Sequence, residues 1–316
     1  MNSLNRSPAA NRSPSPWPDL TLSSWEDTRD TLHLWTQVVG KVRLDLEPMR
    51  NHWWQVVLYV SARGLTTSLM PTDDGRGLEI EFDCINHVLR LQTTDGRERT
   101  IPLRPQSVAD FYAATMAALA ELGVTVNVFP RPTEIADATP FPEDLRHSSY
   151  DPDAVQRFWR ALVQMDRVMR TFRGRFVGKA SPVHFFWGAP DLAVTRFSGR
   201  TAPLHPGGVP NCPDRVQQLA YSHELHSCGF WPGGSTEGSF YAYAYPQPDA
   251  FAQWPIAPDA AYYDTAAGEF ILPYAAVRAA VDPAAMLLSF FQSSYEAAAD
   301  LGAWDRAALE VDFDPQ

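Results

Sequence analysis

The sequence predicts an α+β protein: two similar halves, each a helix, an antiparallel strand meander and a closing helix, packed as one compact unit. Three observations carry that prediction. Runs rich in β-branched and aromatic residues follow one another through short turns with no helix between them, which points to antiparallel meanders and away from βαβ units. Long segments with apolar residues at helical spacing flank those runs. The order helix, Gly-Lys, His-aromatic-aromatic, strands, helix is written twice, which reads as an internal duplication.

Met1 to Pro16 is polar and rich in Ser, Asn and Pro; it reads as a flexible tail without the apolar core of a signal peptide. Residues 17–128 form the first half. Its helix is expected to start at Ser23, with Glu26 completing a capping box, to carry Leu32, Trp35 and Val39, and to close at Gly40-Lys41. His52-Trp53-Trp54 then leads into a strand run from Val56 to Arg63. Leu78 to Asp83 and His87 to Thr93 are two further runs, Asp95-Gly96 is a hairpin turn, and Arg99 to Leu103 returns. The closing helix runs from Ser107 to Leu122 and stops at Gly123.

Residues 129–149 read as a linker, with Pro130, Pro132, Pro140 and Pro142 and little periodicity. Residues 150–316 form the second half. Asp151 caps a helix with Pro152 in its first turn. The stripe Phe158, Leu162, Met165, Met169, Phe172, Phe176 is its core face, and Gly178-Lys179 is its expected close. His184-Phe185-Phe186 precedes a strand from Leu192 to Arg196. Phe240 to Tyr245 alternates, so Tyr241, Tyr243 and Tyr245 face one way and Ala242 and Ala244 the other. Glu269 to Leu272 returns, and a helix from Pro283 to Leu301 stops at Gly302. A Gly-, Pro- and His-rich insertion is expected at about 198–239.

The 316 residues carry 37 acids against 26 bases, a net charge of −11, and no basic run longer than two residues. A phosphate-backbone surface needs clustered Lys and Arg, so nucleic acid and anionic membranes are excluded as partners. No apolar stretch reaches the roughly 20 residues of a membrane-spanning helix. Three cysteines, Cys84, Cys212 and Cys228, are odd in number and far apart, which argues against a disulfide framework and for a cytoplasmic home. Only two of the bases are lysine, Lys41 and Lys179.

Gly174-Arg175-Phe176-Val177-Gly178-Lys179 fails as a phosphate loop: the glycine spacing is one short, Ala180 stands where Ser or Thr should hold magnesium, and a helix precedes it. Dinucleotide, nucleophile-elbow and zinc-ribbon motifs are missing. The densest polar chemistry lies in the insertion. His205, His223 and Glu224 suit a divalent metal, zinc or iron, with Glu224 as third ligand or catalytic general base. In a helix His223 and His226 would share a face. His184, which opens the strand just before the insertion, is a further candidate to join this group as a ligand-binding residue. Tyr241 and Tyr243 offer a pocket wall, with an ordinary sheet face as the plainer reading. Arg63 and Arg196 occupy corresponding points of the two halves; paired across a pseudo-two-fold axis they would hold an acidic ligand, while salt bridges to acids are the structural alternative. The functional expectation is a metal-dependent enzyme acting on a small polar molecule at the junction of the halves. The alternatives are a metal-free binding module for an acidic small molecule and a protein-interaction scaffold.

Several longer motifs belong together: His33-Leu34-Trp35-Thr36-Gln37, Asn51-His52-Trp53-Trp54, Arg63-Gly64-Leu65-Thr66-Thr67 and Arg104-Pro105-Gln106-Ser107-Val108-Ala109-Asp110-Phe111-Tyr112 in the first half. The second half adds Ser181-Pro182-Val183-His184-Phe185-Phe186-Trp187-Gly188 and His205-Pro206-Gly207-Gly208-Val209-Pro210-Asn211. With these the chain resembles a bacterial family catalogued only as a domain of unknown function, from about Trp17 to Glu310. The resemblance implies no activity. It extends to Tyr221-Ser222-His223-Glu224 and Phe230-Trp231-Pro232-Gly233-Gly234 but does not require His226 or Cys228, which leaves His205, His223 and Glu224 as the implied set.

Overall fold

The computed structural model describes residues 16–311; the tail expected over 1–16 lies, Pro16 apart, outside the described residues. The fold is mixed α and β, with two antiparallel sheets. The first sheet runs β1 (Tyr59–Val60), β2 (Gly64–Thr66), β4 (Gly77–Asp83), β5 (Val88–Thr93), β6 (Glu98–Pro102), with the short β3 (Met70–Pro71) pairing β4. The second contains β7 (His184–Phe186), β8 (Asp191–Thr201), β9 (His223–Trp231), β10 (Ser239–Tyr245), β11 (Tyr262–Asp264) and β12 (Glu269–Pro273), in the order β11-β12-β10-β9-β8-β7. The two sheets meet at one edge each. Leu58, just before β1, and Phe185 in β7 exchange backbone hydrogen bonds of 2.9 and 2.8 Å.

The helices are α1 (Glu26–Leu46), α2 (Val108–Glu121), α3 (Pro152–Gly174), α4 (Asp214–Ala220), α5 (Tyr274–Ala279), α6 (Pro283–Leu301) and α7 (Arg306–Leu309). The four long ones form a row, α2 against α1, α1 against α3, α3 against α6. One hydrophobic core runs beneath them through both halves. In the first half Trp35 of α1 stacks on Phe111 of α2 at 4.7 Å; in the second Phe172 of α3 meets Phe291 of α6 at 5.8 Å.

The caps show how the sequence sets the helix ends. Ser107 and Asp151 accept from the backbone N–H groups of Asp110 and Asp153, as their sequence positions require. Past α2, Gly123 takes φ +72° and Val124 donates back to Leu119 O at 2.9 Å. Past α6 the left-handed residue is Ala303 at φ +51°, not Gly302, and Trp304 donates to Ala299 O at 2.8 Å. The same helix stop therefore sits one residue later than expected, which aligns Phe111 with Phe291.

Several expectations are corrected. No capping box forms at Ser23: α1 begins after Trp25, which makes no side-chain cap, and a single 3-10 turn covers Leu22–Ser24. Nor does α1 close at Gly40-Lys41; it continues to Leu46. Gly40 is an interior residue whose missing side chain admits the Trp187 indole, since a Cβ there would stand inside that ring. Gly178-Lys179, by contrast, follows the end of α3. His52 lies in a 3-10 turn at φ +56°, whereas His184 lies in β7, so these motifs are not structural counterparts either. The run Val56–Arg63 holds only the two-residue β1. The segment 198–239 is not all insertion: it contains the end of β8 and the whole of β9, a central strand.

Candidate functional site

Side-chain alternation in the second sheet separates its chemistry onto two faces. In β9, Glu224, His226, Cys228 and Phe230 point to the helices, and His223, Leu225, Ser227 and Gly229 point away. Register carries the second set across the sheet: Tyr241 lies opposite Gly229, Tyr243 opposite Ser227 and Tyr245 opposite Leu225, with Ala193, Thr195 and Phe197 beyond in β8. The helix-free face is nevertheless covered. The 3-10 turn at Asn51–Trp53 and α4 meet where His52 Nδ1 donates to Ala220 O at 2.9 Å. Segments 129–149 and 202–222 join through Glu134 N to Pro210 O (2.8 Å) and Asn211 Nδ2 to Ile135 O (2.6 Å).

Helix α1 fixes that cover from the other half. Gln37 accepts from Thr133 N at 2.7 Å and donates to Thr133 O at 3.0 Å. One turn later Lys41 donates to Thr133 Oγ1 at 3.0 Å. One turn earlier His33 Nε2 lies 2.9 Å from Gly188 O and 3.0 Å from Trp187 O, which assigns the proton to Nε2. Lys41 is 6% exposed, its ammonium lies 5.7 Å from the Trp187 ring, and desolvation brings its pKa down to about 8.

At the centre the Tyr241 hydroxyl donates to Asp191 Oδ2. It reaches Asp191 by lying flat over Gly229, where a Cβ would come within 2.5 Å of its oxygen and 2.6 Å of Leu192 O. Tyr243 stacks on Tyr241 with centroids 6.1 Å apart, and its hydroxyl lies 2.7 Å from that of Tyr221. Beneath them Ser227 and Thr195 hydroxyls pair at 3.0 Å. Desolvation, with Glu134 and Glu269 as nearby like charges, raises Asp191 to about 7 against the pull of Tyr241. Glu269 is also raised to about 7, by burial and then by Asp264, its direct cross-strand neighbour. Glu134 is exposed as a residue, yet its carboxylate folds over Gly188, and desolvation raises it too. The result is a tyrosine floor ringed by three carboxylates that burial biases toward the protonated form.

Of the residues singled out in the sequence, Tyr241 and Tyr243 stand in this site. His205 lies at its margin: its ring stacks on Tyr221 at 4.6 Å and its Nδ1 accepts from Gly207 N at 3.1 Å. His223 faces the same side but meets His52, 5.8 Å away ring to ring, and Ser222. Glu224 points to the opposite face, bound to Ser198 Oγ (2.8 Å) and Arg200 (2.6 Å); Arg200 in turn holds the Gly302 and Ala303 carbonyls past α6. The three expected metal donors are thus not brought together, because β9 is a strand and its neighbours alternate. Among the described residues no three His, Cys, Asp or Glu side chains are grouped to hold a metal ion. A helical His223–His226 face does not exist; His226 is buried against Phe172, Tyr295 and Ser294.

Arg63 and Arg196 do not pair across an axis. Arg63 Nε binds Asp83 at 2.7 Å on the first sheet, and Arg196 is buried on the helix side of the second. His184 is 1% exposed in a box of Trp54, Tyr59 and Phe186, each 5.7 Å away, with both ring nitrogens unpartnered; burial lowers its pKa to about 3. Beside it Lys179 Nζ donates to His52 Nε2 at 2.5 Å, the acceptor left free by the Nδ1 bond.

Sequence reasoning missed Asp191, Glu134, Glu269, Tyr221 and Lys41. Tyr221 was visible only as a neighbour of His223, and Asp191 only as the residue before an apolar run. A model of one protein family, described as a family of unknown function, matches residues 17–311. No curated protein and no solved structure matches the chain.

Proposed function

The chain belongs to DUF5996, a family of unknown function, and from that premise, which supplies no activity, we propose that it binds a small organic cation on the tyrosine face of its second sheet. The observation that supports this reading is the company Asp191 keeps. Glu134 and Glu269 act on it as like charges, and among the described residues none of the three makes an ion pair. Carboxylates crowded in this way gain from an incoming positive charge, and the faces of Tyr221, Tyr241 and Tyr243 attract the same cation through their ring quadrupoles. Asp191 meets the charge and, at about 7, exchanges a proton with a bound amine.

Thermal-shift titration with small primary amines, against alcohols of the same shape, tests this. Amines are expected to raise the Tm and alcohols not; the gain should fade as the pH drops below about 7 and vanish in Asp191→Asn. Amines that leave the Tm unmoved, or an Asp191→Asn protein that responds like the wild type, would remove the proposal. The metal-dependent reading would return if elemental analysis found stoichiometric metal that disappears on joint His205→Ala and His223→Ala substitution.

We further infer that the halves descend from one ancestral helix–meander–helix unit. The five-strand meander common to both sheets (β1-β2-β4-β5-β6 and β7-β8-β9-β10-β12) and the shared stop of α2 and α6 support this, and a superposition of 26–124 on 152–304 that failed to pair α1 with α3 and α2 with α6 would refute it. The three unbonded thiols support a cytoplasmic home.

A further inference from the structure

On the helix side of the second sheet an open cavity of about 740 Å³ lies between the end of α3, β8, α6 and α7. Arg196 forms its inner wall and Arg175 its rim. Arg196 is 1% exposed. Its guanidinium lies on the Phe172 ring at 3.5 Å and near Tyr295 at 4.4 Å; one Nη2 hydrogen goes to Phe172 O, and Nε is buried with no partner among the described residues.

A buried guanidinium is costly unless a counter-charge meets it. The nearby acids are already committed. Glu310 accepts from Arg306 Nε at 2.5 Å and from the Tyr295 hydroxyl at 2.8 Å; Glu296 accepts from Gln292 at 3.0 Å and lies 3.7 Å from Arg306. The neighbour that acts on Arg196 as a like charge is Arg175, which makes no ion pair among the described residues. Glu310 also lines the cavity and acts on Arg196 as a counter-charge, but its bonds go to Arg306 and Tyr295, so among the described residues no carboxylate is bonded to either Arg175 or Arg196.

We propose that this cavity binds a small oxyanion, a phosphate or carboxylate group, between Arg175 and Arg196. The rings of Phe172 and Tyr295 flank the Arg196 guanidinium, its Nε is a donor without a partner among the described residues, and Arg175 closes from solvent. The volume admits an organic body of small-metabolite size behind the anionic group. This site lies on the opposite face of the sheet from the tyrosine site and does not depend on it.

Isothermal titration of the full chain with inorganic phosphate and, separately, with succinate, at constant ionic strength, tests the proposal. One-to-one binding of either anion is expected; the tighter of the two names the class. Arg175→Gln, on the exposed rim, is expected to weaken it about tenfold or more. Arg196→Lys keeps the charge but loses the fork and should weaken it as well, while Asp191→Asn should leave it unchanged. The proposal fails if neither anion binds the wild type, if chloride competes equally at matched strength, or if Arg175→Gln binds as the wild type does. Since Arg175 is exposed, that variant decides the matter even if Arg196→Lys does not fold.

Discussion

Five strands of each sheet run as a meander, β1-β2-β4-β5-β6 and β7-β8-β9-β10-β12, and the sheets differ in where the sixth strand sits and in what lies on the side away from the helices. In the first, Glu79, Glu81 and Asp83 of β4 alternate with buried Leu78, Ile80 and Phe82, and their face is laced by short polar contacts: Thr66 to Glu79, Ser61 to Glu81, Arg63 and Arg90 to Asp83. That is the ordinary pattern of an antiparallel sheet with one wet face. In the second, β9 is buried along most of its length, with the stretch around residues 133–135, segment 202–222 and the turn at Asn51–Trp53 joined over the side away from the helices. The acids respond in opposite senses. Hydrogen bonds from Arg76 and Arg97 hold Asp74 and Asp95, in the first sheet's turns, well below the usual carboxylate range, while burial holds Asp191 and Glu269 near 7.

The strongest way to break the contrast is to lift the roof from its support. Gly40→Val drives a side chain into Trp187, whose indole donates to Val56 O at 2.6 Å across the seam. Urea unfolding is expected to show a loss of about 3 kcal/mol, at the upper end for overpacking. Next, Gly229→Val removes the bed on which Tyr241 lies; a loss of about 2 kcal/mol is expected, with loss of the amine response.

Stability against pH probes the second sheet without rebuilding it. Asp191 and Glu269 ionise near 4 when unfolded and near 7 when folded, so between those values the folded state holds more protons. Their contribution is therefore lost as pH rises from about 4 to 7, and Asp191→Asn should flatten that limb. His184 works the other way. Its folded pKa of about 3 against 6.5 means the unfolded state binds the extra proton, so stability is lost as pH falls below 6.5. His184→Phe, which suits its aromatic box, should cost under about 1 kcal/mol at neutral pH and resist acid better than the wild type. The smallest effect belongs to the wet face: Gln92→Ala, at an exposed residue whose side chain binds Glu98, should stay within about 0.5 kcal/mol.

What the sequence made legible was whatever is decided locally. The acceptor caps Ser107 and Asp151, the stop after α2 and the common facing of Tyr241 and Tyr243 follow from spacing and residue type alone. What it hid is decided by partners far along the chain. Gly40 looks like a helix stop until Trp187, distant in sequence, fills the space over it. His223-Glu224-Leu225-His226 reads as an ambiguous polar run until Arg196 and Phe197 on one side and Ala244 and Tyr245 on the other fix it in a sheet centre. Asp191 acquires its character only from Tyr241, Glu134 and Glu269, three separate segments. Charge type was visible, but not which charges would share a cavity.

The exchange of backbone bonds between Leu58 and Phe185 makes each half the guard of the other's open strand. Cutting the chain near residue 150 would bare two unpaired borders at once, and such borders recruit other chains. Either fragment expressed alone would be expected to clump, and the two mixed together to regain solubility. By this reasoning, the seam obliges both halves to be inherited and folded as a pair.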